Sequence, residues 1–531
     1  MALSVVYGID LGTCYSCISR DDGAGSTMPV KLLFNAGREF VPSVVTYDRT
    51  TGQPKVGNVG KACLRTRPEC TKAFVKREMD REFCATDISV AGTTRKVSPV
   101  EISACILKHL FDEANKVEAG AGRPPATQAV ITVPAKFDEK QRARTKLAAE
   151  LAGIKVLGLL QEPTAAAIAD DIPAGKTALV FDLGGGTLDV SIVTNNRGNY
   201  VVLGTPAGDD HLGGMDWDER IIELAFQKAG RRPDRSNAKE WNLLMNKAEK
   251  IKQALSDYEI VVDDEVEDGN IIEDMEVEIA RHEFETKSYD LLQRCWAVVD
   301  KAIANAQAQS PGLKIDFFLT VGGSSRMPMI SQGLLRRYGA TYGKGKTAQE
   351  WLRIHEPDTA IANGAAKYAR MLVSGSIHSS PVVNRFGMLK DKATHSYGMT
   401  VYLDGTLSIK NLVKSSDPIV YQNVYAGLSL FEASNAVAIS IYENDNTGEH
   451  ASLDSDGAKK IFDQVFHLSS RKPQGTPLSV RILRDMDGLI KITAVCEGDR
   501  QTFEVNPPEF LIDPETRRNI ERSLALMDAS R

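Results

Sequence analysis

The chain has 531 residues and a formal net charge of −6, with a sequence pI of about 5.9. That length allows several domains, each with its own core, and the acidic balance excludes a polybasic footprint for nucleic acid or an anionic membrane surface. No apolar run approaches the ~20 residues needed to span a bilayer. Met1 to Tyr7 passes so directly into a glycine turn that no signal peptide is expected there. Eight cysteines lie scattered at 14, 17, 63, 70, 84, 105, 295 and 496. Cys14 and Cys17 form a C-x-x-C, but no second pair sits at zinc spacing, and three positions apart they point to opposite faces of a strand. A cytoplasmic protein is expected.

In chain order, the first element runs Val6-Tyr7-Gly8-Ile9-Asp10-Leu11-Gly12-Thr13-Cys14-Tyr15-Ser16-Cys17-Ile18, an apolar strand, Asp-Leu-Gly, a threonine and another strand. Pro42 to Tyr47 reads as a further strand. Lys72 to Arg77 is basic and aromatic, and a lysine there is ordinarily a solvated charge unless the fold returns it to a cleft. Ile102, Ile106, Leu107, Leu110 and Phe111 recur at helical spacing, with Ser98 to cap and Pro99 for the first turn. Ala129 to Val133 reads as a buried strand. Asp138 and Gln141 have the spacing of a capping box, and Gly153 closes that helix. Glu162 stands at a strand-to-helix junction, where Pro163 opens a helix through Ala169. Strand, helix, strand, helix indicates an α/β lobe.

The central stretch is Leu179-Val180-Phe181-Asp182-Leu183-Gly184-Gly185-Gly186-Thr187-Leu188-Asp189-Val190-Ser191-Ile192-Val193. Such a turn presents backbone N–H groups at one point, and glycine lets a backbone approach an anion without a Cβ in the way. Asp182, at the carboxyl end of its strand, suits a hydrated divalent cation beside that anion. The Asp-Leu-Gly grammar repeats that of residues 6 to 18. Two copies predict two related lobes with facing phosphate loops, a nucleotide between them, and Asp10 and Asp182 on opposite sides of one metal.

Gly213 and Gly214, within His211 to Asp218, offer another close backbone approach. Asn237 to Leu255 is a long amphipathic helix whose charges, by spacing alone, form a solvated face. Phe317 to Pro328 is a third strand-to-glycine turn, suited to a nucleotide floor, and Glu356-Pro357-Asp358 caps a helix from Thr359 to Leu372. Ser374 to His395 has linker composition. The rest is β-rich: Val437, Ile439 and Ile441 alternate with smaller residues, and Asp487-Gly488 between apolar pairs signals a hairpin. Asp513-Pro514-Glu515 starts a last helix of at most ~17 residues, about 25 Å, with Ile520, Leu524 and Met527 on one face.

These motifs together resemble the Hsp70 chaperone family. The resemblance is carried by Gly8 to Thr13, Ala129 to Ala135, Glu162 to Ala167, Phe181 to Ser191, His211 to Asp218 and Val321 to Met329, all in the family's order. It implies a two-lobed, actin-like α/β ATPase domain over 1–373, a linker over 374–395, a β-sandwich binding extended peptides over 396–508, and a short C-terminal helix over 509–531 as a lid remnant. It also implies ATP and ADP with Mg²⁺, a role in protein folding and the stress response, and a potassium site at Asp182, Thr187 and Asp189.

Carried over position by position, the resemblance assigns Asp10, Asp182 and Glu162 to the hydrated Mg²⁺ and the attacking water, and Lys76 to orienting that water and the γ-phosphate. Thr13 and Thr187 contact phosphates, Gly12 and Gly184, Gly185 and Gly186 supply N–H groups, and Cys14, Tyr15, Gly213 and Gly214 complete the cradle. Glu249, Lys252 and Ser256 match adenosine contacts, which overturns the surface reading of that helix. Gly322, Gly323, Ser324 and Arg326 match the other side of the base, with Asp358 beyond. In the sandwich, Met399, Val401, Val437 and Ile439 are the candidates for a peptide groove.

The departures carry their own expectations. Cys14 replaces the second threonine of the first phosphate loop and removes a hydroxyl near the β-phosphate. Gly158 stands where the family has an arginine that receives a J-domain protein, and the linker lacks the leucine run ending in Asp. Standard J-domain stimulation is therefore not expected, while the resemblance leaves room for a nucleotide exchange factor. The helix is far too short for the family's lid, so bound peptide should leave fast. The reading is an ATPase coupled to extended peptides or client proteins, with no nucleic acid and no membrane. The alternative is a nucleotide-gated interaction protein with negligible hydrolysis and one dedicated partner.

Overall fold

Both Asp-Leu-Gly stretches are hairpins at the centres of two separate sheets. In the first sheet Val6–Asp10 pairs antiparallel with Tyr15–Asp21 and parallel with Gln128–Val133, which pairs in turn with Lys155–Gln161. In the second, Thr177–Leu183 pairs antiparallel with Leu188–Asn196 and parallel with Phe317–Val321, which pairs with Leu352–Ile354. The third antiparallel strand is Thr27–Pro29 in one sheet and Asn199–Asp209 in the other, so strand for strand the two lobes share one topology. Asp10 faces Cys17 across its hairpin as Asp182 faces Asp189 across the other. The central strands are buried on both faces and read as continuous apolar runs, as parallel-paired strands do.

The computed structural model describes residues 5–21, 27–29, 39–90, 92–196, 199–266, 270–272, 275–354, 359–374, 395–403, 405–415, 417, 421–454, 457–485, 489–505 and 511–528. Asp358, the Asp487-Gly488 turn and residues 375–394 of the linker stretch lie outside these.

Local signals act as the sequence suggests. Ser98 caps Pro99–Gly120 by accepting from Val100 N, and Asp138 and Gln141 form a reciprocal capping box on Glu139–Leu151. Asn237 caps Ala238–Asp257 by accepting from Glu240 N. The lobes meet through small residues. Ala360–Val373 packs on Val6–Asp10 and on Glu162–Ala169, so closely that a Cβ on Gly364 would lie 1.8 Å from the Ala165 carbonyl oxygen. None of the eight cysteines is in a disulfide.

The β-rich part is a sandwich. A five-stranded sheet contains Ser396–Leu403, Thr406–Val413, Ser434–Asn444, His450–Ala451 and Lys459–Lys472, and a four-stranded sheet contains Tyr421–Ser429, Pro477–Arg484, Ile490–Cys496 and Asp499–Glu504. Their inner faces share one core that includes Tyr397, Ile439, Phe466, Val480 and Ile492.

The C-terminal helix, Pro514–Asp528, does not cover this sandwich. Leu511, Ile512, Ile520, Leu524 and Met527 belong to the core of the first lobe, and the helix packs along Pro99–Gly120. Ser523 Oγ donates to Glu101 Oε1 at 2.8 Å, Lys108 pairs with Asp528 at 2.9 Å, and Gln53 donates to the Leu526 carbonyl at 3.1 Å. Amphipathic spacing predicts the buried stripe but not its partner. Ile520 is fully buried, so Ile520→Asp puts an unpaired charge into the seam. The expected result is a helix freed from the lobe, with trypsin cutting at Arg517, Arg518 and Arg522 at least ten times faster. An unchanged digestion rate would contradict this packing.

Candidate functional site

Between the two lobes lies a cleft with a cavity volume of about 670 Å³, within the ordinary range for a small-molecule ligand. Asp10, Gly12, Thr13, Cys14 and Tyr15 line it from the first hairpin, and Asp182, Gly184, Gly185 and Thr187 from the second. Lys76, Glu162, Gly214, Glu249, Lys252, Ser256, Gly322, Gly323, Ser324 and Arg326 line it as well. Gly186, Gly213 and Asp189 do not line the cavity. The two loops touch: a Cβ on Gly185 would lie 2.2 Å from Cys14 Sγ, so the Cys14 thiol is packed against the glycine loop opposite. Gly214 N and Met215 N donate to the carbonyls of Gly184 and Gly185, fixing the triple-glycine turn from behind.

The acids converge. Phe74 adopts φ 61° in the left-handed region and turns the chain into the short helix Val75–Glu78. This brings the Lys76 ammonium onto the Glu162 carboxylate at the start of Glu162–Ala169. Thr132 Oγ1 donates to Asp10 Oδ1 at 3.2 Å. Burial raises the carboxyls of Asp10, Glu162 and Asp182 above their ordinary range. Lys76 opposes this in all three, and Glu162, Asp189 and Asp10 drive Asp182 highest. Burial alone would lower the Lys76 ammonium, yet Glu162, Asp10 and Asp182 hold it above its usual value. Asp189 is pushed up to about 6 by burial, with Lys136 opposing.

Buried oxygen acids in such excess over lysines fit a hard divalent cation. Among the described residues no group of three or more metal-ligating side chains is placed to hold a metal directly. Acids gathered at the phosphate end of the cleft suit a Mg²⁺ held through water and phosphate. For potassium the fit fails at Asp189, because the Lys136 ammonium already stands 3.6 Å from Asp189 Oδ1.

At the other end, Lys252 pairs with Asp218 at 2.7 Å and donates to the Gly214 carbonyl at 2.8 Å. Tyr15 and Lys61 of the first lobe reach across to Glu249 of the second, Tyr15 OH donating to Glu249 Oε1 at 2.9 Å. Lys61 and Asp218 also line the cleft, though neither was named from the sequence as a contact residue. Lys61 carries no local signal, whereas Asp218 follows Gly214 by one helical turn in a motif already singled out. Burial, reinforced by the Glu249 charge and opposed by Lys252, pushes Asp218 up to about 7. A folded value above the unfolded one gives stability that is full below pH ~4 and lost as pH rises to ~7. A tenfold difference in proton affinity between the folded and unfolded states is worth about 1.4 kcal/mol. The urea midpoint of the nucleotide-free protein should therefore fall from pH 5 to 7 more steeply in wild type than in Asp218→Asn. Equal slopes would contradict the assignment.

In the sandwich, Met399 and Ile439 are buried core residues, and Val401 and Val437 are half-buried beside them. All four sit on the inward face, so sheet packing accounts for their alternation. The exposed apolar side chains there include Tyr402, Leu403, Leu407 and Phe431, with Tyr402 stacked on Phe431 at 4.3 Å.

Fold and cleft together define a two-lobed nucleotide-binding ATPase joined to a β-sandwich. A family model described as Hsp70 protein matches residues 6–521. The heat shock 70 kDa protein BIP3 of Oryza sativa subsp. japonica is 31% identical over 530 residues, 94% of this chain and 74% of that protein. Chaperone protein DnaK of Mycoplasmopsis pulmonis is 36% identical over 377 residues (69% of this chain, 58% of that protein), and DnaK of Mycoplasmopsis agalactiae 38% over 347 (62% and 54%). The chain belongs to the Hsp70 family, whose members are ATP-hydrolysing chaperones that bind ATP and ADP with Mg²⁺ and take unfolded peptides as clients. No helix among the described residues is long and apolar enough to cross a membrane.

Proposed function

We propose that the chain hydrolyses ATP in this cleft and uses the nucleotide cycle to control binding of extended peptides or client proteins on its β-sandwich. The observation that carries the reading is the meeting of both Asp-Leu-Gly hairpins with the Lys76–Glu162 pair in one cleft. Positioning and charge neutralisation supply most of the acceleration in phosphoryl transfer to water. Glu162 accepts from and orients the attacking water, while Lys76 aligns that water and the γ-phosphate. Gly12, Gly184 and Gly185 direct N–H groups at the phosphates, and Thr13 and Thr187 add hydroxyls. Asp10 and Asp182 would hold a hydrated Mg²⁺, which would supply charge neutralisation to the phosphates. Glu249, Lys252 and Ser256 take the adenosine from one side and Gly322 to Arg326 from the other. Asp358 belongs to that side by resemblance alone.

The domain limits we propose are 1–373, 374–395, 396–508 and 509–531. Lys459 of the sandwich pairs with Asp138 of the first lobe at 3.2 Å, which supplies a contact through which the two parts can be coupled. Gly158 argues against standard J-domain stimulation. Cysteines held apart without disulfides suit a reducing compartment, which supports a cytoplasmic location.

Single-turnover hydrolysis with and without an unfolded peptide tests the reading. Peptide-stimulated turnover is expected. Tight ATP binding with negligible hydrolysis under both conditions would overturn it in favour of a nucleotide-gated interaction protein.

A further inference from the structure

We propose that Lys136 is a tethered monovalent cation. Its ammonium, carried by the first lobe, occupies the place beside Asp189 of the second lobe where a free potassium ion would act, so nucleotide binding and turnover do not depend on potassium. The inference rests on the ATPase reading above.

Lys136 follows Gln128–Val133 and the Pro134-Ala135 turn, on the lobe edge where Thr132 donates to Asp10. Its Nζ lies 3.6 Å from Asp189 Oδ1 and 3.9 Å from Asp210 Oδ1, so one side chain bridges the lobes on two carboxylates. Gly208 makes the seat. It lies opposite Asp189 in the sheet, and a Cβ there would come within 2.1 Å of Lys136 Nζ and 2.6 Å of Asp189 Oδ1. Any other residue at 208 would evict the amine or the carboxylate.

Charge supplies the reason for a cation here. Asp189 stands across the hairpin from Asp182, and burial raises Asp182 well above its ordinary value along with Asp10 and Glu162. Lys76 is already engaged by Glu162. Asp189 has a side chain only 12% exposed, where like charges repel far more than in water. A potassium ion and the ammonium cannot comfortably share Asp189. The ammonium is tethered, so its local concentration far exceeds that of a free ion.

The test compares wild type, Lys136→Met and Lys136→Arg in KCl and in choline chloride at equal ionic strength, reading Mg·ADP and Mg·ATP affinity by calorimetry and single-turnover hydrolysis. Wild type and Lys136→Arg should differ less than twofold between the salts. Lys136→Met should bind nucleotide at least fivefold more weakly in choline and recover in KCl, a rescue that misfolded protein would not show. Wild type losing fivefold or more in choline overturns the inference, as does Lys136→Met matching wild type in both salts. Wild type binding nucleotide in neither salt overturns the ATPase reading itself.

Discussion

Lys76→Ala is expected to lower the single-turnover rate of ATP hydrolysis by about 10²–10³-fold, the scale seen when one preorganised electrostatic contact to a transition state is removed. ADP affinity should stay within about threefold, because Lys76 sits at the acid end of the cleft and the adenosine contacts at Glu249, Lys252 and Ser256 are untouched. The loss is more than that of one donor. Lys76 is the lysine paired with Glu162, and it opposes the burial that raises Asp10, Glu162 and Asp182. Removing it leaves the acids further raised and the water unoriented. Glu162→Ala should lose turnover to a similar extent, and the double variant should lose little more than either single one, since residues acting as a unit are not additive. Unchanged turnover in both single variants would defeat the catalytic assignment.

Gly364→Ala should cost about 3 kcal/mol of stability, the upper end of ordinary overpacking, and should slow hydrolysis as well. The added methyl would lie 1.8 Å from the backbone oxygen of Ala165, and backbone in a helix cannot rotate away as a side chain can. That helix begins at Glu162, so the displacement reaches the proposed water-orienting acid. Gly8→Ala should behave alike, its Cβ falling 2.1 Å from Ala366 N in the same helix pair. Gly120→Ala is the control, with nothing within 4 Å. A urea midpoint for Gly364→Ala equal to that of Gly120→Ala would show that the lobes do not meet there.

Much of the nucleotide cleft was legible because its parts are local. An acid at the end of a strand followed by glycines is one turn of chain, and the repeat of that turn revealed the second lobe. The capping signals at Ser98, Asp138 and Asn237 are equally local. Lys76 was not legible by spacing, since only the left-handed turn at Phe74 returns it to the cleft. By spacing alone Glu249 and Lys252 belong to a solvated helix face, and only the family resemblance points them at the nucleotide. Lys61 and Lys136 were missed because each depends on the closure of one lobe against the other, which no local pattern encodes. The C-terminal helix showed its apolar stripe in sequence, yet an amphipathic face does not name what covers it. In the sandwich, Met399, Val401, Val437 and Ile439 pack with the core, and the same alternation suits a groove lining, so local pattern does not separate the two.

The claim on which the rest depends is that carboxylates from two equivalent hairpins share one bound magnesium nucleotide. Titration calorimetry of Mg·ATP into wild type and into the Asp10→Asn, Asp182→Asn double variant tests it most directly. One saturable site per wild-type chain is expected, lost on chelating the magnesium and weakened about 100-fold or more in the variant. An absence of heat in wild type, or equal affinity in the two proteins, would contradict it.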